Sequence, residues 1–81
     1  MRRYTILLTP DLDDGGYVVT VPMLEGCVTE GDTIEEAIAN AREAIQGYVE
    51  SMTAHGEVVP DESLPPQLLT IEVDISSLVA G

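Results

Sequence analysis

Apolar and polar positions alternate in short runs near both ends of the chain, and between them lies one long stretch of helical period. Tyr4-Thr5-Ile6-Leu7-Leu8-Thr9 is β-branched and apolar and stops at Pro10, which predicts a first strand with both faces partly covered. Asp11-Leu12-Asp13-Asp14-Gly15-Gly16 is a run of turn formers, and Tyr17-Val18-Val19-Thr20-Val21 resumes the strand pattern, so the two runs form a hairpin. Pro22 has no amide to give a ladder and ends the second strand. Gly26 permits a reversal, and Cys27-Val28-Thr29-Glu30 predicts a short third strand before Gly31, completing an antiparallel meander.

Thr33 followed three residues later by Glu36 is a capping box, so a helix starts at Ile34. Ile34, Ala37, Ile38, Ala41, Ala44, Ile45, Tyr48, Val49 and Met52 make one continuous apolar stripe, opposite Glu35, Asn40, Arg42, Glu43, Gln46 and Glu50. Burying a large aliphatic side chain is worth roughly 1.5–3 kcal/mol, which marks Ile38 and Ile45, in the middle of the stripe, as the expected anchors. Gly47 interrupts the pattern, whereas Gly56 after His55 is a left-handed stop, so the helix is expected to end near His55.

Glu57 to Gln67 contains Pro60, Pro65 and Pro66 without periodicity and reads as an extended connection. Beyond it, Leu69, Ile71, Val73 and Ile75 alternate with Thr70, Glu72 and Asp74, which predicts a fourth, half-buried strand over 68–75. A crossover by way of the helix places it parallel to the first strand. The expected fold is therefore α+β, in the order β-β-β-α-β, as a single domain over residues 1–81 with one long helix packed on one face of the sheet.

Length and charge narrow the classes. A single core of this size rarely supplies more than about 3–5 kcal/mol, and disulfides, a metal or oligomerisation usually supplement it. Cys27 is the sole cysteine and His55 the sole histidine, so neither an intrachain disulfide nor a Cys/His zinc cluster is available. A homo-oligomer, with a dimer preferred, is the expectation. Fifteen acidic residues against three arginines and no lysine give a net charge of -12, which opposes direct nucleic-acid binding and either steers the chain toward a basic partner or serves only to keep it soluble. Met1-Arg2-Arg3 precedes an apolar run, Tyr4 to Leu8, too short for a signal-peptide core or a membrane span. A cytoplasmic protein without membrane contact is expected.

Clustered carboxylates at Asp11, Asp13 and Asp14, joined by Asp74, are the residues that a metal-dependent nuclease would use. Turn chemistry accounts for the first three without a metal, and as an EF-hand the segment fails because the twelfth position counted from Asp11 is Pro22. His55 at a helix C-terminus reads as a dipole partner or a solvated side chain. Cys27 reads as a small hydrophobe, and Tyr4, Tyr17 and Tyr48 as core or interface residues. No catalytic, cofactor-binding or metal residue is assigned, and no cofactor is expected.

Gly16-Tyr17-Val18-Val19, Val21-Pro22-Met23-Leu24-Glu25-Gly26-Cys27, Glu30-Gly31-Asp32-Thr33-Ile34-Glu35-Glu36-Ala37 and Ala41-Arg42-Glu43-Ala44-Ile45, taken in order, resemble the HicB-like antitoxin family. The resemblance runs from about Tyr4 to Val59 and implies a partial ribonuclease H-like domain. It also implies a non-enzymatic antitoxin that neutralises a small basic HicA-type mRNA ribonuclease. Many family members add a C-terminal DNA-binding segment. Here the sequence stops at Gly81 without one, so a short form is expected that does not bind its promoter alone. Two other readings stand beside it: a metal-dependent nuclease of ribonuclease H-like fold using Asp11, Asp13, Asp14 and Asp74, and a stand-alone oligomeric protein without a toxin.

Overall fold

A computed structural model describes residues 2–76; Met1 and 77–81, including the expected terminus of the domain at Gly81, lie outside the described residues. Three strands, β1 (Leu7–Pro10), β2 (Tyr17–Thr20) and β3 (Val28–Gly31), precede one helix, α1 (Ile34–Ala54). The fold is α+β, and the sheet is antiparallel in the order β1-β2-β3. Leu8 stands opposite Val19 in the first pair, and Val19 opposite Thr29 in the second. Pro10 closes β1, a position an edge strand tolerates because one row of its amides needs no ladder partner.

Both turns follow from side-chain chemistry. The Asp11 carboxylate Oδ1 accepts from the amides of Asp13 at 3.0 Å and Asp14 at 3.1 Å, and the Gly15 amide donates to the Asp11 carbonyl. Gly15 and Gly16 both take positive φ, the conformation that lets the hairpin reverse. At the helix start the Thr33 hydroxyl accepts from the Glu36 amide at 3.1 Å, and at its end His55 caps the last turn before Gly56, φ +70°. His55 Nδ1 donates to the Ser51 carbonyl at 2.7 Å, holding the imidazole against the final turn.

The core lies between one face of the sheet and α1, in two clusters. Val19, Ala37 and Ala41 are buried together, with Leu8 and Tyr17 packed around them. Val21, Leu24 and Cys27 form the second, under Ala44, Ile45, Tyr48 and Val49. Leu24 and Val19 are the largest fully buried side chains. The helix therefore meets the sheet through Ala37 and Ala41, whose short side chains let the backbones approach. This corrects the expectation that Ile38 anchors α1, because Ile38 is 40% exposed. Ile45 does pack against the second cluster.

The expected fourth strand finds no place in the sheet of a single chain. Residues 68–75 run without regular structure and leave Leu69 83% and Ile71 78% exposed. The connection before them is tied to the N-terminal segment: Tyr4 Oη donates to the Pro60 carbonyl at 2.6 Å, the Thr5 amide donates to Glu62 Oε1 at 2.9 Å, and the Thr5 hydroxyl also donates to that carboxylate. Past Glu62 the consecutive prolines Pro65-Pro66 hold the backbone extended, and the chain leaves the body as an arm. The molecule measures 56 × 28 × 20 Å, with a radius of gyration of 16.6 Å. A compact chain of this length would reach about 12 Å.

Candidate partner-binding surface

The loop between β2 and β3 is built around one apolar side chain. The Leu24 amide donates to the Val21 carbonyl at 3.0 Å, the Cys27 amide to the Leu24 carbonyl at 3.0 Å, and the Val21 amide to the Cys27 carbonyl at 3.2 Å. These bonds close the loop and drive Leu24 inward to 1% exposure, and Gly26 turns the chain at φ +79°. Tyr48 Oη donates to the Glu25 carbonyl at 2.7 Å, latching the helix to the loop. Sequence reasoning treated this segment as a strand end and a turn and so missed Leu24 as a core residue. The signal was available, since Leu24 is the lone large aliphatic among Pro22, Glu25 and Gly26.

The loop and latch present a shallow groove between β3 and α1, lined by Val28, Thr29, Asn40, Glu43, Gly47 and Tyr48, among others. β3 is an edge strand, and Val28 on it is 57% exposed. Asn40 Nδ2 donates to the Glu30 carbonyl at 2.7 Å, fixing the edge against the helix. Glu43 lines the groove and is exposed, Glu25 and Glu30, next in sequence to its lining residues Gly26 and Thr29, are exposed as well, and Gly47 leaves open space where a larger side chain would project. The surface combines an accessible strand edge with acidic side chains, which is the chemistry that receives a basic segment by strand addition.

A second groove, of about 490 Å³, opens on the β1 side of the helix. Tyr4 and Ile6 form one wall, Ile38, Ile45 and Val49 the other, and Arg2 and Arg42 stand at its rim. Sequence reasoning placed Arg42 merely on the polar helix face.

Of the carboxylates considered for metal chemistry, those of Asp11 and Asp74 make local hydrogen bonds. Asp11 organises the hairpin turn that carries Asp13 and Asp14. Asp74 lies on the arm, where hydrogen bonds from the Ser76 hydroxyl at 2.6 Å and the Ser76 amide at 3.0 Å hold its carboxyl below the usual carboxylate range. Among the described residues no group of three His, Cys, Asp or Glu side chains is placed to hold a metal ion. Cys27 is buried, and desolvation pushes its thiol pKa up, away from a nucleophilic thiolate. Tyr4 and Tyr48 use their hydroxyls to fasten segments, and Tyr17 packs on the core. No helix among the described residues is long and apolar enough to cross a membrane.

The family described as HicB_like antitoxin of bacterial toxin-antitoxin system matches residues 4–77. A UPF0150 protein of Synechocystis sp. is 51% identical over 71 residues, 88% of this chain and 89% of that protein. A UPF0150 protein of Thermoplasma acidophilum is 48% identical over 61 residues, 75% of this chain and 87% of that protein. Antitoxin HicB 1 of Photorhabdus laumondii is 35% identical over 79 residues, which are 98% of this chain and 48% of that antitoxin. The crystal structure of the N-terminal domain of Burkholderia pseudomallei antitoxin HicB superposes with a TM-score of 0.60 at 35% identity, covering 95% of this chain and 79% of that one.

Proposed function

Because the chain belongs to the family of HicB-like antitoxins of bacterial toxin-antitoxin systems, we propose that it binds and neutralises a small basic HicA-type mRNA ribonuclease. It acts by occlusion and catalyses no reaction of its own. The observation that carries this reading is the imbalance of charge on a domain of this family: fifteen acidic residues against three arginines. A chain so charged repels RNA and attracts the cationic surface with which a ribonuclease holds RNA, so toxin and transcript compete for one patch.

The β3 edge and the adjoining face of α1 receive the toxin. Val28 and the edge backbone supply strand pairing, while Glu30 and Glu43 meet its cations. The encounter takes place in the cytoplasm, where the toxin finds its mRNA, and the antitoxin works as a homo-oligomer.

Titration of purified chain into an RNA-cleavage assay with a small basic HicA-type ribonuclease from the same genome tests the proposal. Stoichiometric loss of cleavage, together with a complex on gel filtration, is the expected result. Undiminished cleavage at saturating chain, with no complex, overturns it.

A further inference from the structure

No contact within the chain accounts for the glycine at position 47. Gly47 lies inside α1 without the positive φ that favours glycine, and a Cβ there would meet nothing within 4 Å. A glycine inside a helix costs stability relative to alanine, because its backbone loses more freedom on folding. The space it leaves opens on the groove beside β3, and what fills that space comes from outside the described residues.

The side chains bordering that space offer acceptors. Asn40, Glu43 and Gly47 stand at i, i+3 and i+7 on one helix face, and Tyr48 borders the same groove. Asn40 Nδ2 donates to the Glu30 carbonyl and the Tyr48 hydroxyl donates to the Glu25 carbonyl, so these donors are engaged within the chain. The acceptors left are Asn40 Oδ1, a Tyr48 Oη lone pair and the exposed Glu43 carboxylate, while the Thr29 hydroxyl can act either way. Among the described residues no arginine lines this groove, and Arg42, next to Glu43 in sequence, lines the other one.

We propose that the gap over Gly47 is a receptor for an arginine side chain of the basic partner, whose guanidinium stacks against Tyr48 and donates to the Glu43 carboxylate and Asn40 Oδ1. The partner's identity rests on the antitoxin reading; the slot and the chemistry it selects do not. A guanidinium is planar, carries five N–H donors and no acceptor, and so can lie on an aromatic ring while it forks to oxygens on two residues. The ammonium of lysine is a compact, strongly hydrated point charge and matches the slot less well. An ordinary side chain at position 47 would project into the space the guanidinium takes, which gives the glycine its use.

Titration of the full chain with a capped tripeptide bearing a central arginine, followed by backbone amide NMR at stated salt, is expected to shift Glu43, Gly47 and Tyr48 together. The same peptide with citrulline, which keeps the shape and removes the charge, is expected to leave them in place, as is the arginine peptide added to Gly47→Gln. Shifts absent from these three residues, spread evenly over the acidic surface, or matched by a lysine peptide overturn the proposal. Binding of a small basic HicA-type ribonuclease from the same genome is the second readout. Gly47→Gln and Glu43→Gln are each expected to weaken that complex about tenfold, with the helical circular dichroism unchanged. Affinities equal to wild type overturn the proposal and leave the antitoxin reading intact. A wild-type chain that binds no such ribonuclease overturns the antitoxin reading, and the peptide titration still decides the slot.

Discussion

Gly31 at the end of β3 sits directly against Ala37 in the first turn of α1: a Cβ on Gly31 would lie 2.6 Å from the Ala37 Cα and closer still to its amide nitrogen. The contact joins two residues of one motif segment that the sequence places six positions apart. It also decides how deeply the helix settles on the sheet, because Ala37 itself is fully buried. Gly16 makes the neighbouring approach, where a Cβ would meet the Asp32 Cα at 2.9 Å. Three short residues thus set the spacing between hairpin, third strand and helix.

Gly31→Ala is accordingly expected to destabilise the fold by about 1–3 kcal/mol, since backbone rather than a movable side chain blocks the added methyl. Gly47→Ala, with open space around it in the helix, should stabilise by about 0.5–1 kcal/mol. Urea unfolding of the two variants beside wild type measures both signs. Equal effects would contradict the packing described here.

Thr33→Ala should cost about 1 kcal/mol by stranding the Glu36 amide that the hydroxyl now satisfies. Thr33→Ser keeps the acceptor and should remain close to wild type. Thermal melts distinguish the two, because a domain of this size shifts by about 4–8 °C per kcal/mol.

Burial raises the Cys27 thiol pKa, so the folded chain holds this proton more tightly than the unfolded chain does. Its contribution to stability is complete below the unfolded thiol value of about 8.5 and is lost as pH rises through the folded value. Melting temperatures from pH 7 to pH 10 should therefore fall more steeply for wild type than for Cys27→Ala. Parallel slopes would show that the thiol does not ionise differently on folding.

Association with a basic toxin should slow as salt rises, since the Debye length shrinks from about 10 Å at 0.1 M to about 3 Å at 1 M. Glu43→Lys reverses a charge beside the β3 edge without touching the core and should lower the association rate constant further, with stability within about 0.5 kcal/mol of wild type. Stopped-flow binding at several salt concentrations reads both effects. A rate indifferent to salt and to this substitution would remove the charge argument.

Local chemistry made most of the elements legible from the residues alone. The Thr33 cap, the glycine after His55 and the 3.6-residue period bounded α1 closely, and the Asp-Gly turn and Pro22 set out the hairpin. Family membership was equally legible, because its motif residues are those with fixed local duties: Gly26 turning the loop, Gly31 giving way to the helix, Thr33 capping it. The acidic character that points to a basic partner is a property of composition and needs no coordinates.

Which apolar residues meet was decided only by the tertiary structure. Periodicity placed Ile38 and Ala41 on the same stripe, but the closeness of backbone approach buried the alanine and left the isoleucine facing a groove. Alternation over 68–75 revealed a strand-forming segment, yet a strand needs an edge to pair with, and pairing depends on where the prolines before it send the chain. A one-dimensional pattern specifies which face of an element is apolar; the position and chain identity of what covers that face depend on packing in three dimensions.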